Sequence, residues 1–290
     1  MLRYRLLLEY DGSHFSGWQR QPDQTTVQGV LEQKLVPLCG HPVLVVGAGR
    51  TDAGVHALGQ VAHFDTPLPR DPRVYVRALN ATTPEQLTVL KCQEVTNDFH
   101  ARFSARYREY HYRLHLRPTP SAIQRQRTWH IGRPLDIDAM LQAGHSLLGI
   151  HDFSAFRAAS CQAKSPIRNL YRLEICRHND ELTIIFGANG FLHHQVRNMV
   201  GSLLQTGTGR WSVQQFQQVF ASRNRNLAAA TAPPWGLYLT CVAYEGDIPE
   251  PASACAREPN LTFRDTPGPS AAAGAEPFDW IANGSDLDYR

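Results

Sequence analysis

The fold class is indicated by the stretch Tyr107-Arg-Glu-Tyr-His-Tyr-Arg-Leu-His-Leu116. This stretch begins the second of two similar series of predicted elements. Tyrosine and leucine alternate strictly with charged residues and histidine, which is the period-two pattern of a half-buried strand. The segments that follow are a helical pattern over 136–148, strands over 168–176 and 182–186 joined by a turn at 178–180, helical patterns over 196–204 and 212–220, and a strand over 237–244.

The same order of periodicities precedes this stretch. Its segments are a strand over 2–10, a helix over 26–38, a short apolar strand over 43–46, a strand over 60–64, a helix over 73–79 and a strand over 87–92. Both series are β-α-β-β-α-β, so the sequence predicts an α+β protein of two ferredoxin-like halves, residues 1–106 and 107–246. Each half should form an antiparallel sheet with helices on one face.

The last segment, residues 247–290, differs from the rest in composition. It is rich in proline, glycine and alanine, and residues 246–290 contain three arginines and eight acidic residues. Such a segment buries little apolar surface, so we expect a flexible acidic tail.

Composition excludes several classes of protein. The chain has 290 residues, of which 42% are hydrophobic and 19% charged, and this excludes global disorder. No apolar run reaches the roughly 20 residues that a membrane helix needs. The six cysteines include no Cys-x-x-Cys pair, and the first residues lack the pattern of an export signal, so we expect free thiols and a cytoplasmic protein.

Charge is distributed unevenly along the chain. The net charge is +3, and the acidic last 45 residues leave a net charge of +8 on the first 245. A basic body suits a polyanionic partner such as a nucleic acid, although many enzymes of small molecules are equally basic.

The glycine-rich segment Gly47-Ala-Gly-Arg-Thr-Asp-Ala-Gly-Val-His-Ala-Leu-Gly59 follows the short apolar strand. It does not fit a dinucleotide fingerprint, because Asp52 stands at the third glycine position, and it lacks the Gly-Lys-Ser/Thr of a phosphate-binding loop. Two interpretations remain open from the residues alone. One is a catalytic loop that presents Asp52 with Arg50 as an electrostatic partner, and the other is a tight turn that the aspartate caps.

Gly49-Arg-Thr-Asp-Ala-Gly-Val-His56 resembles the signature of the TruA family of tRNA pseudouridine synthases. The resemblance extends in register over residues 3–244. The other motifs that match are Glu9-Tyr-Asp-Gly12, Gly17-Trp-Gln-Arg-Gln21, Thr26-Val-Gln28, Phe99-His-Ala-Arg-Phe-Ser104, the Tyr110/Tyr112 pair, His151-Asp-Phe-Ser-Ala-Phe156, Phe191-Leu-His-His-Gln-Val-Arg-Asn-Met-Val-Gly201 and Gly236-Leu-Tyr-Leu239.

The resemblance implies a role for four residues. Asp52 corresponds to the catalytic aspartate of the family, Tyr110 to the tyrosine that stacks on the target uracil, and Arg197 to the arginine that pairs with the aspartate. Arg50 corresponds to an arginine that holds the target nucleotide out of the helix. The resemblance also implies two ferredoxin-like halves around a central basic cleft, and isomerisation of tRNA uridines 38 to 40 in the anticodon arm. It further implies a homodimer and no cofactor.

The physical chemistry of the reaction agrees with these residue types. A carboxylate can form a covalent adduct that later leaves, by attack at C1′ of the sugar or C6 of the base, and glycal formation is a third route. The sequence does not choose among the three. Arg197 should keep Asp52 ionised, and Tyr110 offers a flat face and a hydroxyl.

Two features depart from the family pattern. Glu109 stands where the family usually has a basic residue, which makes the phosphate path near that strand uncertain. The acidic tail is longer than the family core needs, and one hypothesis is that it mimics RNA and competes for the cleft.

Competing functions are disfavoured by missing motifs. A non-catalytic protein with RNA-recognition-like halves should show the aromatic RNP pattern, which is absent. A glycoside hydrolase needs two paired carboxylic acids, and the motif loop offers only Asp52. His193 and His194 are adjacent, which is a poor arrangement for chelating one metal ion.

Overall fold

The computed structural model describes residues 1–245 and, as backbone, residues 260–266. No helix within these ranges is long and apolar enough to cross a membrane. The fold is the α+β arrangement of two ferredoxin-like units that the repeated pattern predicts.

The first half forms a four-stranded antiparallel sheet in the order β4-β1-β3-β2. The central strand β1 places Tyr4, Leu6 and Leu8 on the buried face, where each is 0% exposed. The elements are β1 (Leu2–Tyr10), α1 (Val27–Cys39), β2 (Val46–Gly47), β3 (His56–Thr66), α2 (Pro72–Thr82) and β4 (Leu87–Val95).

The second half repeats this topology, with the antiparallel order β8-β9-β5-β10. The main elements are β5 (Tyr107–Leu116), α3 (Ile137–His145), β8 (Ile167–His178), β9 (Glu181–Ala188), α4 (Gln195–Gly207) and β10 (Leu237–Ala243). Three additions decorate this unit: β6 (Trp129–Ile131) beside β5, β7 (Gly149–Asp152) beside β8, and the helix α5 (Val213–Ala221).

The two sheets are joined into one. Strand β10 pairs with β5 on one side and lies parallel to β3 on the other, where Tyr238 faces His56 and Leu239 faces Ala57. The buried apolar side chains of both halves form one continuous hydrophobic cluster. The joint therefore fixes the two halves relative to each other and places the loop before β3 next to β5.

Local sequence signals explain where several elements begin and turn. The Thr26 hydroxyl accepts a hydrogen bond from the Gly29 amide and caps α1, and Ser212 and Gln215 form the predicted capping box of α5. The β8–β9 hairpin turns at Asn179, whose φ of +53° suits asparagine.

The apolar run Val43–Val46 is not the strand that its composition predicts. Val45 is buried, but its amide donates to the Glu32 carboxylate at 3.1 Å and its carbonyl accepts from the Gln28 side chain at 3.1 Å. Because these side chains of α1 bind the backbone, only Val46 and Gly47 pair with β3.

Part of the C-terminal segment is a strand. Asn260–Thr266, here β11, pairs in parallel with residues 172–178 of β8. Composition favoured a flexible tail over 247–290; its remaining residues lie outside the described ones.

Candidate active site

The glycine-rich loop between β2 and β3 is held by buried hydrogen bonds. The Thr51 carbonyl accepts from the Trp18 amide at 3.0 Å, and the Thr51 hydroxyl contacts the Tyr10 hydroxyl at 2.8 Å. The Gln60 side chain, 0% exposed, donates to the Gly49 carbonyl at 2.8 Å. These contacts fix the backbone on both sides of Asp52.

A tight turn presents the Asp52 side chain. The Val55 amide donates to the Asp52 carbonyl at 3.1 Å, and Gly54 has a φ of +77°. Only glycine adopts this conformation without strain, which explains Gly54 in the loop. Asp52 is held by this turn, but its carboxylate makes its own contacts elsewhere, so it does not cap the turn.

The Asp52 carboxylate contacts three side chains of the α4 region. Arg197 Nη1 lies 2.6 Å from Oδ2, His194 Nε2 lies 3.2 Å from Oδ2, and His193 Nε2 lies 3.3 Å from Oδ1. All three belong to the segment that leads into α4 or to its first turn, where the helix dipole also favours an anion. The contact joins residues 145 positions apart and bridges the two halves.

The charge state of Asp52 follows from these partners. Burial by itself raises the pKa of the carboxyl, but the contacts with His194 and Arg197 outweigh burial and lower the pKa to about 2. Asp52 is therefore an ionised, oriented carboxylate at neutral pH.

The residues that hold Asp52 are themselves fixed. Arg197 Nε donates to the Ala232 carbonyl at 2.8 Å, and His193 Nδ1 contacts the Ser160 hydroxyl at 3.1 Å. His194 precedes α4 with a φ of +61°, a left-handed conformation that points its ring back toward the loop. This strained position at a site contact is typical of functional geometry.

Tyr110 lies on β5 in the same cleft. Its ring meets Phe191 edge to face, with centroids 5.2 Å apart, and the residue is 8% exposed. Burial raises the pKa of its hydroxyl, so the phenol is neutral. A Cβ added to Gly49 would lie 3.4 Å from Tyr110 Oη, which shows how closely the loop approaches the tyrosine.

The cleft is large and basic. Its volume is about 1320 Å³, and it is lined by the Asp52 loop, β5, the segment 160–163 and the start of α4. Among the described residues that line it, Asp52 is the one acidic side chain. The arginines that line it are Arg50, Arg102, Arg108, Arg168 and Arg197.

The predicted site residues thus converge, because Asp52, Tyr110, Arg197 and Arg50 all line this cleft. Arg50 is exposed. Seven further arginines precede or belong to β5 or lie elsewhere in the first 113 residues, and any of them is a candidate for an RNA path on charge alone; two of the seven, Arg102 and Arg108, line the cleft. The other five contact partners elsewhere: Arg3 with Asp65, Arg5 with the Phe99 and Tyr244 rings, Arg20 with Glu32, Arg106 with Glu245 and Arg113 with the Tyr238 ring.

Glu109 lies on the face of β5 opposite to Tyr110. Its carboxylate binds Arg172 at 2.8 Å, the Tyr107 hydroxyl at 2.7 Å and His111 at 3.0 Å. Burial opposes ionisation, but His111, Tyr107 and Arg172 lower the pKa of Glu109 to about 2. Glu109, which departs from the family pattern, therefore links β5 to β8 through Arg172 and does not face the cleft.

Asp52, His193 and His194 could in principle be ligands of a metal ion. Their ligand atoms lie within 4.8 Å of one another. Arg197 lies 2.6 Å from the same carboxylate, and a fixed guanidinium there opposes a second cation. The donor set fits a hydrogen-bonded carboxylate better than a metal centre.

Sequence patterns missed the two histidines and Ser160 as site residues. His193 and His194 stand in a motif that matches the family, but the sequence by itself indicates no contact of these side chains with Asp52. Their common contact with Asp52 depends on the left-handed backbone at His194, which no periodicity reveals.

Comparison with known proteins agrees with the motifs. The family model described as tRNA pseudouridine synthase matches residues 7–104 and 143–245, which include Arg50, Asp52 and Arg197. The chain is 46% identical over 255 residues to tRNA pseudouridine synthase A of Rhodospirillum rubrum, covering 88% of this chain and 92% of that protein. It is 51% identical over 247 residues to the Paramagnetospirillum magneticum protein of the same name, covering 84% and 96%. For the Xanthobacter autotrophicus protein of that name, the identity is 48% over 245 residues, covering 84% and 100%. With two thirds of its residues in the family model and relatives matched over nearly their whole length, the chain belongs to the tRNA pseudouridine synthase family.

Proposed function

We propose that this protein isomerises uridine to pseudouridine in the anticodon arm of tRNA, at positions 38 to 40, with Asp52 as the catalytic residue. The observation that carries the proposal is the ionised Asp52, held by Arg197 at 2.6 Å in a basic cleft that also contains Tyr110. Family membership supports an isomerase that acts on tRNA.

The reaction rearranges one nucleotide without a net change in atoms. The C1′–N1 bond breaks, the base turns, a C1′–C5 bond forms, the C5 hydrogen leaves as a proton, and N1 gains a proton. No electrons are exchanged with a second reactant, so the proposed reaction requires no cofactor. Asp52 acts by attack at C1′ or C6, or by removing the C2′ proton that leads to a glycal.

The three contacts on Asp52 support a choice between its two carboxylate oxygens. Oδ2 accepts from Arg197 at 2.6 Å and from His194, whereas Oδ1 has the single contact with His193 at 3.3 Å. His193 is 40% exposed at its side chain and can move when substrate arrives. We therefore assign Oδ1 as the oxygen that meets the nucleotide.

Tyr110 is assigned to the uracil. It lines the cleft, and its hydroxyl lies against Gly49, so a base that contacts Tyr110 would be next to the Asp52 loop. Because the phenol is neutral, its hydroxyl in the free protein is a proton donor and not a base.

Access to a uridine in the anticodon arm requires that the nucleotide leave its stack, at a cost of a few kcal/mol. Arg50 and Arg102, both exposed and both in the cleft lining, can offset this cost by binding phosphates. The proposal includes a homodimer, as the family resemblance implies, and a cytoplasmic location.

The test is tritium release from tRNA labelled at uridine C5, because forming the C1′–C5 bond expels that hydrogen. Asp52→Asn should abolish release while tRNA binding is retained. Asp136→Asn is the matched control, since Asp136 caps α3 and asparagine caps equally well. Binding without release by the native protein would favour a non-catalytic RNA-binding protein. Equal release by native protein and Asp52→Asn would overturn the assignment of Asp52.

A further inference from the structure

Phe103 is an exposed aromatic side chain on the rim of the basic cleft. The residue is 74% exposed, and it lines the cleft together with Arg102. A lone exposed phenylalanine needs no explanation by itself, but this one presents an aromatic ring on a cleft whose charge suits a polyanion. We propose that the Phe103 ring is a stacking platform for one unpaired nucleobase of the RNA, distinct from the target uracil.

The Phe103 ring is held in place by His100 and by the turn to which both residues belong. The His100 ring lies 4.4 Å from the Phe103 ring, centroid to centroid, with the planes inclined by 31°. His100 Nδ1 accepts from the Arg102 amide at 3.1 Å and from the Phe103 amide at 3.2 Å. The turn is closed by the Ser104 amide, which donates to the His100 carbonyl at 2.9 Å. Phe103 is therefore exposed but preorganised, which limits the entropy lost when a base stacks on it.

Arg108 connects this turn to the catalytic loop. Its guanidinium donates to the Arg102 carbonyl at 2.7 Å, to the Ala48 carbonyl at 3.1 Å and to the Asn189 carbonyl at 3.0 Å. Ala48 directly precedes the Asp52 motif, and Asn189 precedes the segment with the two histidines. One half-buried arginine thus holds the Phe103 turn against both walls of the active site.

The chemistry of the rim selects the occupant. Every base has an apolar face that stacks on an aromatic ring, and arginines around the ring bind the phosphates on either side. Five arginines and one acidic residue line the cleft among the described residues, and this charge favours RNA over an apolar protein partner. Under the proposed function the target uracil stacks on Tyr110. The base on Phe103 therefore belongs to another nucleotide.

This inference rests on the proposed function, and binding measurements separate the two. Phe103→Ala should bind an anticodon stem-loop RNA about 5- to 150-fold more weakly by fluorescence anisotropy, the usual range for one base–aromatic stack. Phe103→Trp should bind like the native protein. The slope of affinity against salt should stay unchanged, because the ring neutralises no phosphate. Ile150→Ala, in a residue that is 70% exposed and does not line the cleft, should have no effect.

Abasic replacement identifies the partner base. Each unpaired nucleotide of the loop is replaced in turn by an abasic one, and the affinity of each RNA is measured for the native protein and for Phe103→Ala. Loss of the stacked base should lower the affinity for the native protein but not for Phe103→Ala. Additive losses at every position would overturn the platform, as would native affinity in Phe103→Ala. A change in molar mass of Phe103→Ala by sedimentation would assign the ring to a contact between copies instead. Tritium release by the native protein shows separately whether the proposed function holds.

Discussion

Replacing Arg197 with methionine tests the central contact of the site. Methionine retains most of the apolar stem but removes the guanidinium that lies 2.6 Å from Asp52 Oδ2. A hydrogen bond to a charged group contributes about 1.5–3 kcal/mol. If that bond orients Asp52 in the transition state, kcat/KM at pH 7 should fall by about 10- to 150-fold.

The pH dependence gives a second and more specific sign. In the native protein the pKa of Asp52 is about 2, so the carboxylate is fully ionised down to pH 4. Without Arg197, burial is opposed mainly by His194, and the pKa rises. The ratio of variant to native activity should therefore decrease as the pH falls from 7 toward 4.5.

The assay is tritium release over this pH range, with tRNA binding measured in parallel. Arg225→Met is the matched control, because Arg225 also donates to backbone carbonyls near Ala232 but does not line the cleft. A loss of less than threefold, or a ratio that does not change with pH, would refute the role assigned to the Arg197–Asp52 pair.

Three further predictions concern residues around the site. Gly54→Ala should cost about 1–2 kcal/mol of stability in denaturant unfolding and reduce kcat, because φ is +77° there and the turn presents Asp52; an unchanged midpoint and rate would contradict this. Glu109→Gln should lower the free energy of unfolding by about 1–3 kcal/mol at pH 7 without changing tRNA affinity. Since the pKa of Glu109 is about 2 and that of an unfolded glutamate 4.5, the difference from native should disappear as the pH falls from 4.5 to 2. Burial, aided by Arg3, lowers the pKa of His63 from 6.5 to about 4. As the pH falls, the unfolded state therefore binds a proton at this residue before the native state does. The free energy of unfolding should fall by about 3 kcal/mol between pH 6.5 and 4 for this reason. His63→Asn should remove that part of the pH dependence in thermal unfolding, and an unchanged slope would show that His63 is not its source.

The sequence predicts those parts of the fold that depend on local periodicity. The strand over Tyr107–Leu116 and the capping box at Ser212 are found as predicted, because alternation and end-capping act over a few residues. Val43–Val46 differs because the side chains of α1 bind its backbone, a contact between segments that apolar composition does not report. The parallel pairing of β10 with β3 likewise cannot be predicted from periodicity. The alternation of apolar and polar residues is the same whether a strand lies at the edge of a sheet or pairs with a second sheet.

For the site, the resemblance points to Asp52, Tyr110 and Arg197, and all three line one cleft. The positions of His193 and His194 around the carboxylate could not be predicted, because the left-handed residue before α4 sets the direction of both rings. Arg108 donates four hydrogen bonds to three backbone carbonyls, and this role cannot be predicted either, since backbone acceptors leave no mark in the sequence.

Strand β10 is the last strand of the second half, yet it lies between β5 and β3 in the middle of the sheet. During synthesis the chain emerges from its N-terminus, and residues 237–243 leave the ribosome after every other element of the two halves. Until then Asp52 and Arg197 belong to two halves that no strand joins. A nascent chain that lacks β10 should therefore not hold Asp52 against Arg197, and the proposed site can assemble only after residues 237–243 have emerged.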